Sequence, residues 1–406
     1  MIGPVVLGRA LDDSFAATVR HNVTALTVTR IGANALYRFA PPFLAVIARG
    51  LDVSIGELGV ALTVAELCGL MSPLIGRFVD RVPRRLAMTV GLAGLAAGAL
   101  IVAASRHVVA FAAGLFVLSL AKIVYDVGQG AWIADHVPFE RRGRVVGLTE
   151  TSWALGLLLG VSSMGLIAAW TSWPWAYVAG ALFVTGMAAI LWPRIGPDPP
   201  GRRAVAAGAT GAVGLGRGGW MAVGAMAAMA AASQSMFVTF GTWLEDSHGF
   251  TTTALAAVTF SIGGLELVAS STSTARTDQW GKERSVISGA IVMVTAAVGF
   301  IALVDVLPVA LVLLGVFIAS FEFAIVSMIP IGGELVRSRP AAGISRFLAA
   351  SAVGRSIATV PATTLYDRIG MRASAALGGV LAVTFGVLMS LRERTPSGTG
   401  AVGADR

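Results

Sequence analysis

Long apolar windows separated by short polar turns set the pattern of this chain from residue 23 onward. Twelve stretches offer the roughly 20 mostly apolar residues that a helix needs to cross a hydrocarbon layer. They are 23–48, 54–78, 86–105, 108–134, 143–169, 173–193, 219–244, 251–275, 285–305, 308–331, 341–366 and 371–391. Most of the joining turns are short, which makes neighbours antiparallel. Residues 194–218 stand apart, being long and rich in Pro, Gly and Arg. The pattern predicts an all-α membrane protein of twelve transmembrane helices. They form two pseudo-symmetric six-helix bundles, 23–193 and 219–391, joined by a linker at 194–218 and flanked by tails at 1–22 and 392–406.

Composition agrees with this reading. Of 406 residues 56% are hydrophobic and 13% charged, with a mean hydropathy of +0.79, whereas soluble domains carry roughly 25% charged residues. A net charge of +8 would suit nucleic acid, but the basic residues cluster between apolar windows, which gives them a topological meaning instead. With the amino terminus placed in the cytoplasm, 21 of the 30 Lys and Arg residues fall on that side and four on the other. The remaining five, Arg30, Arg38, Lys122, Arg346 and Arg355, lie inside windows. That asymmetry places both termini in the cytoplasm, and no nucleic-acid partner is expected. Residues 1–22 lack the basic start, apolar core and cleavage site of a signal peptide and read as a cytoplasmic tail. Cys68, the one cysteine, falls in an apolar run and reads as an inert thiol.

Enzyme chemistry finds no footing. The chain has no G-x-x-x-x-G-K-[ST] phosphate loop and no G-x-S-x-G nucleophile turn, and its four histidines lack metal-ligand spacing. Neither catalysis nor a cofactor is expected.

The turn between the second and third windows carries more than charge. It contains Gly76, Asp80, Arg81, Pro83, Arg84 and Arg85, and a shift of 198 residues places Asp80 on Asp278, Pro83 on Gly281 and Arg84 on Lys282. A third version, Asp367-Arg368-Ile369-Gly370-Met371-Arg372, joins the last two windows on the opposite side. Such repetition suits a transporter built from duplicated halves.

Gly76-x-x-x-Asp80-Arg81-x-x-Arg84-Arg85 resembles the loop signature of the major facilitator superfamily, with Pro83 where glycine is usual. Tyr37-Arg38-Phe39-Ala40-Pro41-Pro42-Phe43-Leu44 and the segment from Asp135 to Arg144 resemble its bacterial arabinose-efflux-like and drug-proton-antiporter-like branch. The resemblance covers all twelve windows. It implies a multi-pass transporter of the bacterial inner membrane whose cytoplasmic gate motif comprises Gly76, Asp80, Arg81, Arg84, Arg85, Asp278 and Lys282. It further implies that Asp80 faces the start of the eleventh helix, near Ala341 to Ile344, and that Arg81 and Arg84 pair with an acid such as Asp135. Gly156 to Ser163 departs from the drug-proton antiporters by lacking their Gly-Pro pair.

Ionisable side chains at membrane depth cost about 2.5–3.5 kcal/mol each on insertion scales and therefore face a bundle interior or a wet cavity. Lys122 and Asp126, four apart, share a helix face and can pair. Glu66 has no opposite charge three or four residues away, and it joins Asp126 and Glu150 as a candidate for proton coupling, with a neutral or Arg-paired structural carboxyl as its alternative. Candidates for cavity or gate are Arg30, Asn34, Tyr37, Arg38, Lys122, Gln234, Glu266, Glu322, Arg346 and Arg355. A shift of 196 puts Arg346 on Glu150, which suggests a salt bridge between halves, with pairing inside each half as the alternative. Glu266 either pairs with Arg355 or stands alone. Met226, Met229, Met236, Phe237, Phe240 and Trp243 add apolar surface that suits an amphipathic solute better than a sugar. The expectation is a monomeric, bilayer-embedded secondary transporter that exports a small amphipathic compound against protons by alternating access. Uptake of an organic anion drawn by Arg30 and Arg38 is the alternative, and a non-transporting receptor comes third.

Overall fold

Proline and glycine decide where these spans break and where they touch. The computed structural model describes residues 6–138, 141–196, 214–335 and 340–394. The centre of the linker, the tail beyond Arg394, Phe139, Glu140 and the side chains of Asp278 and Ala341 lie outside the described residues. The described residues form twelve helical units in chain order: α1 (Ala17–Leu51), α2 (55–81), α3 (Arg84–Ala104), α4 (Val108–His136), α5 (Arg142–Trp170), α6 (Trp173–Arg194), α7 (Arg217–His248), α8 (Thr252–Trp280), α9 (Lys282–Leu303), α10 (Leu307–Glu334), α11 (Pro340–Ile369) and α12 (Met371–Glu393). Among the described residues, ten helices are long and apolar enough to cross a membrane. α2 makes an eleventh when its segments Ile55–Met71 and Leu74–Arg81, which meet at 56°, are taken together. α11 has the length, 30 residues, but its hydropathy is lowered by Arg346, Arg355, Asp367 and Arg368.

The turns α2–α3, α4–α5, α6–α7, α8–α9 and α10–α11 gather at one end of the bundle, here the basic end; the other turns form the far end. α1 starts at Ala17, inside the stretch expected as a tail. Residues ahead of it fold back: Val6–Ala10 is a 3-10 turn, Leu11 and Phe15 are buried, and Arg144 donates to the Ala10 carbonyl at 2.6 Å and to Asp12 at 3.1 Å. Two apolar side chains and a basic α5 start thus seat this segment on the bundle. Outside the membrane-spanning helices, Asp12 is held below the usual carboxylate range by hydrogen bonds from the Ser14 side chain and amide, with Arg144 adding to the effect.

Lipid solvates apolar side chains as well as neighbouring helices do, so association rests on close packing of small residues. A Cβ added to Gly91 or Gly98 of α3 would come within 2.7 or 2.6 Å of the α4 backbone, at Tyr125 and Leu118. Large apolar side chains instead cover the outside, among them Leu182, Val298, Val312 and Val380, each more than half exposed. Five exposed tryptophans sit at the ends of spans, Trp170 and Trp175 at the far end and Trp192, Trp220 and Trp280 at the basic end. Amphipathic indoles at both interfaces bracket the hydrocarbon layer.

α1 and α7 break at matching places. Pro41 and Pro42 lack N–H groups and turn α1 into a 3-10 step at Pro41–Phe43, while α7 pauses at Val238 and Thr239. The two broken helices cross at the far end, where a Cβ on Gly241 would lie 2.0 Å from the Pro42 carbonyl oxygen. α5 and α8 form a second junction, where Gly263 admits the Leu158 backbone beside a π turn at Gly156–Val161. α2 and α11 form a third, with Gly59 on Thr363 and Gly69 on Ala352. Gly56 N–H donates to Asp367 at 2.8 Å, and Arg49 pairs with Glu245, closing the far end.

Candidate functional site

Between the halves lies a small cavity, about 60 Å³ by the space open to the centre of a water molecule. Its lining comes from eight helices, α1, α2, α4, α5, α7, α8, α10 and α11. Leu62, Leu115, Leu118, Trp153, Phe237 and Phe321 give it apolar walls; its polar groups include Tyr37, Arg38, Glu66, Gln234, Glu266 and Arg355.

Two ion pairs of opposite polarity cross this cavity. Arg38 of the first half grips Glu266 of the second with both terminal nitrogens, at 2.9 and 2.6 Å, and donates to the Trp153 carbonyl at 3.0 Å. Arg38 occupies the last turn of its helix segment, where the following prolines leave carbonyls without donors and the helix dipole favours a cation. In mirror fashion, Glu66 of the first half accepts from Arg355 of the second at 2.9 Å and from the Tyr37 hydroxyl at 2.7 Å. Arg355 also donates to Ser351 at 2.8 Å. Glu66 and Glu266 occupy corresponding helices, α2 and α8, so each half lends an acid to the other's arginine. Glu66 is thus an Arg-paired carboxyl, one of the readings its sequence allowed, whereas Glu266 takes Arg38 in place of the expected Arg355 or isolation, so that each acid finds its arginine across the interface.

Glu66→Gln should therefore destabilise the protein. It removes the carboxylate from a guanidinium that is 23% exposed, and breaking such a pair costs about 3 kcal/mol. Thermal unfolding in detergent should show the loss, and Glu66→Gln with Arg355→Gln should recover more than half of it. Equal melting of the single variant and the parent would contradict the pairing.

A second cluster lies within the first half. Arg30 donates to Glu150 at 2.6 Å and to Asp126 at 3.3 Å, and Lys122 donates to the other Asp126 oxygen. Lys122 also sits 5.8 Å from the Tyr37 ring centre, which links the cluster to the cavity pair. Glu150 thus takes Arg30 of its own half, the pairing inside a half expected as the alternative to Arg346, which is half-buried on α11. Asn34 donates to the Ser152 carbonyl at 2.9 Å, fixing α1 to α5, and Gln234 donates to Thr359 at 3.1 Å, fixing α7 to α11. Glu322 is buried on α10, within electrostatic reach of Glu266 and Arg38, and its Oε2 has no hydrogen-bond partner among the described residues.

At the basic end the duplicated turns reuse one contact. Arg84 donates to Asp135 at 2.8 Å and to Asp80 at 3.3 Å, while Lys282 donates to Glu334 at 2.6 Å. Glu334 went unnoticed in the sequence, although it follows Asp135 by nearly the repeat shift that relates Arg84 to Lys282. Asp135 binds Arg84 and leaves Arg81 exposed; Arg85 instead lies over the Trp192 ring, 4.2 Å from its centre. Gly76 has open space around it, and the Asp80 side chain is 53% exposed.

The sequence profile described as Major Facilitator Superfamily matches residues 26–340. An uncharacterized MFS-type transporter, YwfA of Bacillus subtilis (strain 168), is 26% identical over 154 residues, 38% of this chain and 37% of its own length. A multi-drug resistance efflux pump PmrA homolog of Lactococcus lactis is 27% identical over 159 residues, 36% of this chain and 38% of its own. The chain thus spans well under half the length of these curated relatives. In fold it is similar to a bacterial homolog of the human lysosomal transporter Spinster, solved inward-facing and unoccupied. That likeness has a TM-score of 0.75 at 12% identity and covers 94% of this chain and 99% of the other.

Proposed function

Since the chain belongs to the Major Facilitator Superfamily, a family of transporters, we propose that it is a proton-coupled secondary transporter exporting a small amphipathic compound. One observation carries the reading: the cavity is spanned by two ion pairs whose members belong to opposite halves. Rocking the halves apart on the far side has to part both pairs, so cavity occupancy and conformation are coupled. The mostly apolar walls favour an amphipathic solute, and the family relative named as an efflux pump homolog agrees in direction.

The protein acts as a monomer in a bacterial inner membrane, its basic end in the cytoplasm. The closed far end makes this the inward-facing state. In this reading Asp80 is released from the start of α11, engages it when the basic end closes, and works with Gly76, Arg81, Arg84, Arg85, Asp278 and Lys282. Of the acids inside the bundle, Glu66, Asp126, Glu150 and Glu266 are each held by Arg or Lys, which leaves Glu322 as the carboxyl that requires a proton or a cation as counter-charge. Uptake of an anion is disfavoured by the same geometry: Arg30 and Arg38 both spend their donors on carboxylates.

Purified protein in proteoliposomes tests this. A pH gradient should drive accumulation of an amphipathic substrate, and collapsing it with a protonophore should release the excess. Accumulation indifferent to the gradient would reject coupling; specific binding without flux would make the protein a receptor.

A further inference from the structure

The third version of the basic turn, Asp367 to Arg372, lies at the far end of the bundle, opposite the gate motif. Its geometry repeats that of the turn between α8 and α9. Asp278 and Asp367 each stand three residues ahead of a glycine with positive φ, Gly281 at 88° and Gly370 at 97°, and in both turns the next helix starts one residue later. Only glycine takes that conformation without strain. The far-end copy also has a partner. Asp367, in the last turn of α11, accepts at 2.8 Å from the N–H of Gly56, in the first turn of α2. A capping box serves the amides on either side: the Ser54 hydroxyl accepts from Glu57 N–H at 3.1 Å, and the Glu57 carboxylate accepts from Ser54 N–H at 2.8 Å. The Gly56 N–H, one of the first-turn donors with no acceptor inside the helix, is left to the other half.

α2 and α11 run antiparallel along one seam. Gly56 meets Asp367, Gly59 meets Thr363, Glu66 meets Arg355 and Gly69 meets Ala352, so each advance along α2 is matched by a nearly equal retreat along α11. Carried on past Gly69, the same pacing brings Asp80, in the last turn of α2, to residue 341, in the first turn of α11. Here the Asp80 side chain is exposed, so that contact is open while the one at Gly56 is made.

We propose that Asp367 is the far-side latch of this protein, and that α2 and α11 lock one another reciprocally: the last-turn aspartate of each docks on the N-terminus of the other, at opposite ends of the bundle and in opposite states. This rests on the alternating-access reading and adds a positioning residue that holds the inward-facing state. Exposed amides and the helix dipole favour a carboxylate at the start of α2. The bond joins residues of different halves, so it exists only while the far end is closed. Tyr366 donates to Asp246 at 2.9 Å, fixing the end of α11 to α7 within the second half and giving Asp367 a rigid mount. Withdrawal of α11 frees the Asp367 charge to water, and closure of the basic end gives Asp80 the corresponding seat.

The test is the distance between spin labels across the far end, read by double electron–electron resonance on the full-length protein in lipid nanodiscs. Cys68→Ala with Arg106→Cys and Val306→Cys puts one label on each half, at exposed positions in far-end turns. Asp367→Asn keeps the shape and removes the charge, and should raise the ratio of open to closed far ends by about threefold or more. Asp367→Glu keeps the charge and should fall between that variant and the parent. Asp80→Asn weakens the opposite latch, so added to Asp367→Asn it should bring the ratio back toward the parent value. General loosening would not give effects of opposite sign that cancel. Should Asp367→Asn not fold, Asp367→Ser removes the same charge from an exposed position with the same expectation. An unchanged ratio in the folded variant would overturn the proposal, as would a shift of the same sign from Asp80→Asn. Flux plays no part in the measurement. The expected shifts without transport would spare the latch and sink the transport reading, and coupled transport with far-end distances indifferent to Asp367 would do the reverse.

Discussion

Glu322→Gln is expected to abolish proton-driven accumulation while leaving the protein folded. The carboxyl is buried on α10 within electrostatic reach of Glu266 and Arg38, and one oxygen has no hydrogen-bond partner among the described residues. A glutamine has the same shape and carries no exchangeable charge, so it satisfies the space without the titration. Proton-driven accumulation should drop by at least roughly tenfold, the consequence of removing an acid from a proton pathway, whereas substrate exchange between equal pools should persist. The melting temperature should stay level or rise, because an uncompensated carboxyl has been taken out of the bundle. Gradient-driven accumulation at the parent level would show that coupling lies elsewhere, and Asp126→Asn and Glu66→Gln would become the variants to assay.

Gly241→Ala should open the far end. The added Cβ would meet the Pro42 carbonyl oxygen at 2.0 Å and its carbon at 2.6 Å, both backbone atoms fixed by the proline turn. No rotamer change relieves such a clash, so α1 and α7 have to separate, and the overlap costs about 1–3 kcal/mol in the closed form. A shift of that size changes the ratio of states by roughly 5- to 150-fold. Leu62→Cys, in a chain carrying Cys68→Ala, places a thiol on the cavity wall. A membrane-impermeant maleimide added from the far side should label it several times faster once Gly241 is replaced. An unchanged labelling rate would mean that the crossing does not govern closure.

Much of the fold was legible because the bilayer imposes a simple demand on sequence, about 20 apolar residues per crossing. The exceptions have local causes. α1 starts at Ala17, inside the stretch expected as a tail, because Leu11 and Phe15 seat the preceding residues on the bundle, and α2 bends by 56° within a single window. The polar side chains of the cavity were also visible, since charge at membrane depth is conspicuous. Their partners were not. A search at helical spacing finds pairs on one helix and so found Lys122 with Asp126, but Arg38 and Glu266 are 228 residues apart and Arg355 and Glu66 are 289 apart. Nothing in the spacing marks Trp153, whose ring centre lies 4.4 Å from the Arg38 guanidinium carbon, as a wall for Arg38, since the two meet only when α5 packs on α1. Repetition could have revealed Glu334, because the shift that relates Arg84 to Lys282 also brings Asp135 almost onto it.

The π turn of α5 has a consequence for variation in this chain. A π turn holds one residue more than an α turn and leaves the two parts of the helix rotated by about 100° relative to regular winding. Glu150 and Trp153 lie on one side of Gly156–Val161, and Gly165, packed on Phe43, lies on the other. Losing a single codon within that stretch would restore an ordinary helix of similar apolarity, still long enough to span. It would also swing the indole off Arg38 and the carboxylate off Arg30. Ligand preference here is written partly in the count of residues, so an in-frame deletion could re-specify the pocket where no substitution has occurred.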